Sequence, residues 1–219
     1  MLKKKIISIS PARYGSKRIK NKNLLIIKNN KTLLDLTYLQ AIKSKCIDKI
    51  LLTTESKKII NYCKSIGFKN IILRPRYLST DKAKSEDVIL HALSSIKEKY
   101  DYFILLQPTS PLRSPSDIDN SLRVFLRNNN DALISISKSR NSRFAVKIKK
   151  KLIICKQDSS KKLATYSCIN GAIYIAKINY FKKNKSFYGP NLGYFFMPRK
   201  RSLDIDTRED LKKLYKLLK

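Results

Sequence analysis

Short apolar runs alternate with longer amphipathic stretches along most of the chain, and this alternation restricts the possible folds more than any other feature. The apolar runs have the length and composition of buried strands, and they lie at residues 6–10, 49–53, 71–73, 102–106 and 132–137. The stretches between them have helical spacing, at residues 33–45, 57–66, 85–99 and from Ser114 onward. This β-α-β-α order predicts an α/β fold, a mostly parallel sheet with helices on both faces.

The alternation breaks in residues 139–168, which are polar and basic. Alternating apolar residues within this segment predict an inserted arm or hairpin. A further strand at 171–175 and a final amphipathic helix at 207–219 follow it. The length of the chain fits one domain, so we interpret residues 1–219 as a single domain that carries one insertion.

The charge of the chain is strongly unbalanced, with 48 Lys and Arg against 16 Asp and Glu, a formal net charge of +32. Such an excess is typical of proteins with anionic partners, such as nucleic acid or phosphorylated substrates. Compositional drift explains it as well, because the chain is rich in Lys, Asn and Ile, and its lysines are scattered rather than gathered in a tail. No nucleic-acid-binding motif is recognisable, and we expect no nucleic acid as partner.

The cysteines and the amino terminus predict a cytoplasmic protein without membrane contact. No pair of cysteines forms a C-x-x-C motif, so free thiols in a reducing compartment are expected at Cys46, Cys63, Cys155 and Cys168. The basic start is followed by an apolar run of only residues 6–9. This run is too short for a signal peptide or for a membrane span.

A basic loop directly follows the first predicted strand. It contains Arg13, Gly15, Ser16 and Lys17, and it continues to Lys22. Backbone N–H groups and cations of such a turn can surround a triphosphate, and arginine offers paired donors to phosphate oxygens. An ordinary solvated basic loop would have the same composition. The spacing matches neither a Walker A loop nor a G-x-G-x-x-G motif.

Two further segments place polar groups at strand ends. Gln107 follows the strand at 102–106 and enters a loop stiffened by two prolines, where its amide could orient a hydroxylated ligand. An ordinary strand-to-helix turn is the alternative. The segment 170–175, Asn-Gly-Ala-Ile-Tyr-Ile, says little by itself.

Asp204 and Asp206 precede the last predicted helix. In an extended chain, residues two apart point to the same side, so two carboxylates would face one point, a pair that suits Mg²⁺ beside a triphosphate. Alternatively, Thr207 and Asp210 form a capping box and Asp206 merely satisfies the start of the helix. His91 is the only histidine, so Ser-His-Asp and Cys-His constellations lack a free partner. The chemistry must therefore come from cations, carboxylates and a metal ion. This combination of groups favours nucleotidyl transfer.

Taken in order, these segments resemble the N-acylneuraminate cytidylyltransferases, the CMP-sialic acid synthetases. The resemblance extends from residue 11 to residue 207, and its parts are Pro-Ala-Arg at 11–13, Gly-Ser-Lys at 15–17, Lys-Asn at 22–23, Leu-Arg-Pro at 73–75, Leu-Gln-Pro-Thr-Ser-Pro-Leu-Arg at 106–113, Asn-Gly-Ala-Ile-Tyr-Ile at 170–175 and Asp-Ile-Asp-Thr at 204–207. It implies a Rossmann-like domain of the nucleotide-diphospho-sugar transferase type and a homodimer formed partly by the inserted arm. It also implies that CTP and a 2-keto-3-deoxy sugar acid react, with Mg²⁺, to give the CMP-sugar and pyrophosphate.

The resemblance also implies roles for individual residues. The expected phosphate ligands are Arg13, Ser16, Lys17 and Lys22, with Lys22 at the α-phosphate. The expected cytidine contacts are Asn23, Arg74 and Ser85. The expected sugar contacts are Gln107 and Asn170, and the expected metal ligands are Asp204 and Asp206. The residues expected to act in catalysis are Arg13, Lys22 and Asp206, because one of the two aspartates would help to deprotonate the attacking hydroxyl.

The chain departs from some relatives just before residue 170, where they place an arginine that could meet the sugar carboxylate. Cys168 occupies this region here, so Arg143 or Lys147 of the arm is the candidate partner. The departure leaves sialic, legionaminic, pseudaminic and related acids open as substrates. CMP-Kdo synthetases, which share the Pro-Ala-Arg-Tyr start, and nucleotidyltransferases that act on a hexose phosphate are the alternatives.

Overall fold

The computed structural model of the protein describes residues 4–139, 144–149, 151–156 and 166–218. Its strands are β1 (Ile6–Pro11), β2 (Ile26–Lys28), β3 (Lys31–Thr32), β4 (Lys49–Thr54), β5 (Asn70–Leu73), β6 (Tyr102–Leu105), β7 (Ala132–Ser139), β8 (Phe144–Lys149), β9 (Lys151–Lys156), β10 (Tyr166–Lys177) and β11 (Leu192–Phe196). Its α-helices are α1 (Leu33–Ile42), α2 (Lys57–Ser65), α3 (Ser85–Ser94), α4 (Pro115–Arg127), α5 (Ile178–Asn184) and α6 (Arg208–Leu218). None of these helices is long and apolar enough to cross a membrane.

Seven strands form the main path of the sheet, in the order β11-β7-β10-β6-β1-β4-β5. Strands β6, β1, β4 and β5 are parallel to one another, and β11 is parallel to β7. The predicted α/β fold with a mostly parallel sheet is therefore confirmed. The exception is β10, which lies antiparallel between β7 and β6.

The central strands are buried on both faces, and most of their residues are apolar. Ile7 and Ile9 of β1 pack on one face, in the cluster that includes residues of α3 and α5. Ile6 and Ile104 pack on the opposite face, against residues of α1 and α4. Two apolar layers, one on each side of the sheet, are what parallel strands with helical connections require.

Side-chain caps fix where α1, α2 and α4 begin. Ser114 and Asp117 form a capping box before Pro115, the first residue of α4. Gly67 follows α2 with a φ of 99°, the left-handed conformation in which glycine commonly ends a helix.

The structure corrects several predicted boundaries. Helix α3 ends at Ser94 rather than at residue 99. Near this end the carbonyl of His91 accepts the N–H of Ser95 and also the hydroxyls of Ser94 and Ser95. Strand β10 starts at Tyr166, before the predicted 171. The sequence did not predict the β2–β3 hairpin, α5 or β11, because two to seven residues are too few for a periodic signal.

The predicted arm contains a hairpin of the antiparallel strands β8 and β9. Strand β8 also pairs with the first residues of β10, outside the main path of the sheet. Strand β7 ends at Ser139 and strand β10 begins at Tyr166, both within the predicted range 139–168. The segment that connects the two strands is therefore shorter than that range. Arg143, a candidate for the sugar carboxylate, lies outside the described residues, and the side chain of Lys147 is not among the described ones.

Candidate functional site

A cleft of about 700 Å³ opens where β1, β5 and β6 end at their carboxyl termini. Ligands of open parallel sheets bind at this edge, so the position agrees with the sequence-based expectation. The cleft brings together ten of the eleven predicted site residues: Arg13, Ser16, Lys17, Lys22, Asn23, Arg74, Ser85, Gln107, Asp204 and Asp206. Arg18 and Asp81 also line it, although the sequence motifs predict no role for either residue.

Two cations of the basic loop are paired with one carboxylate across the cleft. Arg13 Nη1 lies 2.6 Å from one oxygen of Asp81, and Lys17 Nζ lies 2.6 Å from the other. Hydrogen bonds from Lys17 and Arg13 hold the pKa of Asp81 below its usual value. Asp81 belongs to the segment before α3, so these contacts join two walls of the cleft.

Two other cations of the loop meet the segment before α6. Lys22 Nζ donates to the carbonyl of Ile205 at 2.6 Å and lies 3.2 Å from Asp206 Oδ1. Arg18 Nη1 lies 2.5 Å from Asp206 Oδ2. The side chain of Lys22 is only 13% exposed, so its ammonium group has a fixed position in the cleft wall.

Asn23 and Ser85 lie on the side of the cleft toward α3. Asn23 is buried, and its Nδ2 donates to the carbonyl of Arg13 at 2.9 Å, which fixes the backbone of the basic loop. Ser85 is the first residue of α3, where backbone N–H groups lack partners within the helix. Apolar Leu78 and Val88 complete this wall.

Arg74 is buried and connects the segment before α3 to Glu55 and, through Glu55, to the basic loop. Its Nε donates to Ser79 Oγ at 2.7 Å, and its Nη2 lies 3.3 Å from Glu55. Glu55 also accepts the backbone N–H of Tyr14 at 2.8 Å, so the pair is tied to the basic loop. Burial lowers the pKa of Arg74, and the charge of Glu55 opposes this.

Asp204 and Asp206 have different electrostatic surroundings. Enclosure by the cleft walls raises the pKa of Asp204, and the negative charge of Asp206 adds to this, while Thr109 and Lys22 oppose it. Asp204 is nevertheless accessible from the cleft. Partial burial would raise the pKa of Asp206, but hydrogen bonds and charge from Lys22 and Arg18 outweigh it and lower that pKa.

The start of α6 is capped without Asp206. Thr207 Oγ1 accepts the N–H of Asp210 at 3.3 Å, and Asp210 Oδ2 accepts the N–H groups of Thr207 and Asp206. Ile205 is fully buried between the two cleft aspartates. Both carboxylates are therefore directed into the cleft, and neither is required by the helix.

This pair of carboxylates fits a magnesium ion bound together with a nucleotide. The described residues contain no group of three or more His, Cys, Asp or Glu side chains that could hold a metal ion alone. Mg²⁺ is commonly bound by one or two carboxylates, and phosphate oxygens and water supply its other ligands. Asp204, next to the cations of the basic loop, meets that requirement.

Gln107 reaches the cleft beside a bulge in β10. The register of β10 against β7 shifts between Ile169 and Tyr174, and Gly171 has a φ of 73° within this bulge. A Cβ atom on Gly171 would lie 3.4 Å from Gln107 Oε1 and 3.7 Å from Asp204 Oδ2. These are ordinary van der Waals distances, so it is the positive φ that favours glycine here, and bulges often redirect side chains at active sites.

Asn170 is the one predicted site residue that does not line the cleft. Its Oδ1 accepts from Ser135 Oγ at 2.6 Å and from the N–H of Ala172, and its Nδ2 donates to Ser202 Oγ at 2.9 Å. The buried amide thus supports the bulge and the segment before Asp204 from behind.

Known proteins of one enzyme family are similar to the chain over most of its length. A family model described as Cytidylyltransferase matches residues 7–218. The chain is 35% identical to an N-acylneuraminate cytidylyltransferase from Escherichia coli O18:K1:H7, over 95% of this chain and 51% of the relative. It is 30% identical to a CMP-N,N'-diacetyllegionaminic acid synthase from Legionella pneumophila, over 94% of this chain and 93% of the relative. The chain therefore spans about half the length of the first relative and nearly all of the second.

The fold has a close likeness among solved structures. A structure of CMP:2-keto-3-deoxy-manno-octonic acid synthetase complexed with CTP superimposes with a TM-score of 0.81, and the match covers 98% of both chains. The sequences are 17% identical, so this likeness concerns the fold. It confirms the nucleotide-diphospho-sugar transferase type that the sequence resemblance implied.

Proposed function

The chain belongs to the cytidylyltransferase family, and on this premise we propose that it activates a nine-carbon 2-keto-3-deoxy sugar acid with CTP. The products are the CMP-sugar and pyrophosphate. One observation carries the proposal. The cleft places the cations of the basic loop opposite the carboxylates of Asp204 and Asp206, with Gln107 beside them.

The cations suit the triphosphate of CTP. Arg13, Lys17 and Arg18 are all paired with carboxylates of the cleft, and a nucleotide would replace these pairs with phosphate oxygens. The position of Lys22 is fixed by a carbonyl and by Asp206, so it suits the α-phosphate, where charge is redistributed as the bond to pyrophosphate breaks.

The attacking group is the anomeric hydroxyl of the sugar acid. Its oxygen forms the new bond to the α-phosphorus, the bond to the bridging oxygen of pyrophosphate breaks, and the hydroxyl proton must leave. The raised pKa of Asp204 makes it a better proton acceptor than Asp206, whose pKa is lowered. Bound Mg²⁺, held by Asp204 and Asp206, would neutralise charge on the phosphates.

Each end of the cleft suits a different substrate. Asn23, Arg74 and Ser85 surround the end beside α3, which has apolar walls that suit a pyrimidine nucleoside. Gln107 and the bulge of β10 form the opposite end, where an amide beside a carboxylate suits a sugar rich in hydroxyl groups. Asn170 supports this end rather than contacting the sugar.

Pyrophosphate release tests the reaction and identifies the acid. The assay contains CTP, Mg²⁺ and one acid of a panel: sialic, legionaminic, pseudaminic and Kdo. Relatives named for sialic and legionaminic acids favour a nine-carbon acid. Release that requires sialic, legionaminic or pseudaminic acid supports the proposal. Release with Kdo alone supports a CMP-Kdo synthetase, turnover of UTP or dTTP with a hexose phosphate supports the other alternative, and absence of CTP binding contradicts all three.

We further propose that the protein is a homodimer in which the β8–β9 hairpin contacts the partner. The support is that this hairpin lies off the main path of the sheet and joins it through β10. Light scattering coupled to gel filtration tests this, because one chain has a mass of 25.4 kDa. A mass of one chain at working concentrations would contradict the proposal.

A further inference from the structure

Arg113 is a buried cation without a carboxylate partner among the described residues. It is 1% exposed and lies beneath the sugar end of the cleft, in the loop between β6 and α4. Burial of a charged group in a protein interior costs several kcal/mol unless hydrogen bonds compensate it. An apolar side chain would fill the same space without that cost. The presence of a guanidinium therefore indicates that its hydrogen bonds have a role at this position.

The guanidinium donates to two backbone carbonyls, one in the loop that follows β6 and one in β10. Its Nη1 lies 2.9 Å from the carbonyl oxygen of Gln107 and 2.8 Å from that of Ala172. Its Nη2 lies 3.2 Å from Thr37 Oγ1 in α1. One nitrogen thus connects the end of β6 to the bulge in β10.

The two carbonyls belong to the segments that form the sugar end of the cleft. Gln107 directs its side chain toward the bulge, and Ala172 directly follows Gly171, which lies close to Gln107 Oε1 and Asp204 Oδ2. In the bulge, backbone groups are held by side chains. Ser135 accepts the N–H of Ile173, and Arg113 binds the carbonyl of Ala172.

We propose that Arg113 is a positioning residue that sets the distance between Gln107 and the Gly171 bulge, and thereby the affinity for the acidic sugar. Arg113 does not line the cleft and contacts no substrate. It acts through the backbone of Gln107, which it fixes relative to the bulge. This inference rests on the proposed function, because it assigns Gln107 to the sugar.

The forked geometry of arginine is what the contact requires. A guanidinium has five donors in one plane, so Nη1 can serve two carbonyls while Nη2 serves a third acceptor. A lysine ammonium is a single point of charge that cannot span the same three acceptors. Arg113→Lys therefore keeps the charge but weakens the connection between the two strands.

The test compares Arg113→Lys with Thr37→Val. Thr37→Val removes the Nη2 acceptor and leaves both carbonyl contacts intact, so it is the matched control for loss of buried hydrogen bonding. For each protein, KM for the sugar acid, kcat, the Kd of CTP and the melting temperature are measured. We expect Arg113→Lys to raise the KM for the acid about tenfold, with CTP affinity within about twofold of the original. Thr37→Val should leave both values nearly unchanged.

A double-mutant cycle with Gln107→Ala separates positioning from general stability. If Arg113 acts through Gln107, Arg113→Lys should raise the KM for the acid less than about twofold in the Gln107→Ala background. Equal fold-changes in both backgrounds would overturn the proposal. So would parallel losses of CTP and acid affinity, which indicate a general structural role.

The proposed function and this inference fail in distinguishable ways. Absence of turnover by the unmodified protein contradicts the function. Turnover by the unmodified protein with an unchanged acid KM in Arg113→Lys contradicts only the positioning role. If Arg113→Lys does not fold, Arg113→Gln, whose uncharged and shorter side chain no longer connects the two carbonyls, takes its place in the same cycle.

Discussion

Asp204 and Asp206 are separated by one residue, yet only Asp206 is paired with cations. Lys22 and Arg18 neutralise Asp206, whereas Asp204 lies beside Gln107 and the Gly171 bulge with a raised pKa. Asp204 is thus the carboxylate that a metal ion or a proton can reach without displacing a cation.

Asp204→Asn should reduce kcat at least about 10²-fold, because an amide binds Mg²⁺ weakly and accepts no proton. The melting temperature should change little, since Asp204 forms no ion pair within the described residues. Steady-state kinetics and thermal unfolding provide the measurements. The control is Glu209→Gln, an exposed carboxylate nearby in the chain. Near-normal turnover of Asp204→Asn would rule out its role.

Lys22→Ala should lower kcat more than it raises the KM for CTP. The reason is that the fixed ammonium of Lys22 can stabilise charge that develops at the α-phosphate in the transition state. Lys20→Ala is the matched control, because Lys20 is an exposed cation of the same segment. A change confined to KM would make Lys22 a ground-state ligand.

Asp81→Asn should tighten the binding of CTP and pyrophosphate by about two- to tenfold. Asp81 forms ion pairs with Arg13 and Lys17 at 2.6 Å, so phosphate oxygens must displace its carboxylate. The expected change in affinity is modest, because ion pairs between partly exposed side chains contribute little free energy. Calorimetry with CTP and pyrophosphate measures the effect. CMP, whose single phosphate need not reach both cations, is the control ligand. Weaker CTP binding would instead show that Asp81 orders the two cations for the nucleotide.

At the scale of elements, the segment before α6 is attached to the start of α4. Arg201 donates to both oxygens of Asp117 at 2.8 and 2.9 Å, and Asp117 also accepts from Ser114 in the capping box. One buried carboxylate thereby anchors the short turn (Arg199–Arg201) that leads to Asp204. The position of the cleft carboxylates depends on this attachment.

Asp117→Asn should destabilise the protein by about 2 kcal/mol at neutral pH, because it removes the charge that Arg201 and the capping box bind. Burial opposes ionisation, but hydrogen bonds from Arg201 and Ser114 outweigh it and lower the pKa of Asp117. A folded-state pKa below the unfolded value stabilises the protein above about pH 4, and this contribution is lost as pH falls further.

Chemical denaturation of both proteins between about pH 3 and pH 7 measures this difference. The stability gap between the unmodified protein and Asp117→Asn should narrow as the pH falls. Arg201→Met should give a similar gap at neutral pH, because it removes the other partner of the ion pair. A gap that is the same at every pH would contradict the charge-based explanation.

At the scale of the whole molecule, the net charge of +32 creates a field that attracts anionic substrates. The KM for CTP should therefore rise several-fold between about 0.05 and 0.5 M salt, because the screening length falls well below the dimensions of the domain. Salt titrations of the kinetics measure this effect. Binding of uncharged cytidine should stay nearly constant, and a KM for CTP that does not depend on salt would contradict the prediction.

The amino-acid sequence by itself determined the order of the longer strands and helices from β1 to β7, the cap of α4 and the edge of the sheet that carries the site. These properties depend on residues near one another in the chain. Continuous apolar runs specify β1, β4 and β6, and Ser114 with Asp117 specifies the start of α4. Because parallel strands end at one edge, the motifs that follow them meet there.

Only the tertiary structure decided how the site residues are connected. The antiparallel direction of β10, the burial of Asn170 behind the bulge and the pairing of Asp81 with Arg13 depend on segments far apart in the chain. Arg113 occurred in a recognised segment, but its contact with Ala172 joins residues 59 positions apart. Local propensity cannot encode such contacts, because they form only when packing of the strands and helices brings the two segments together.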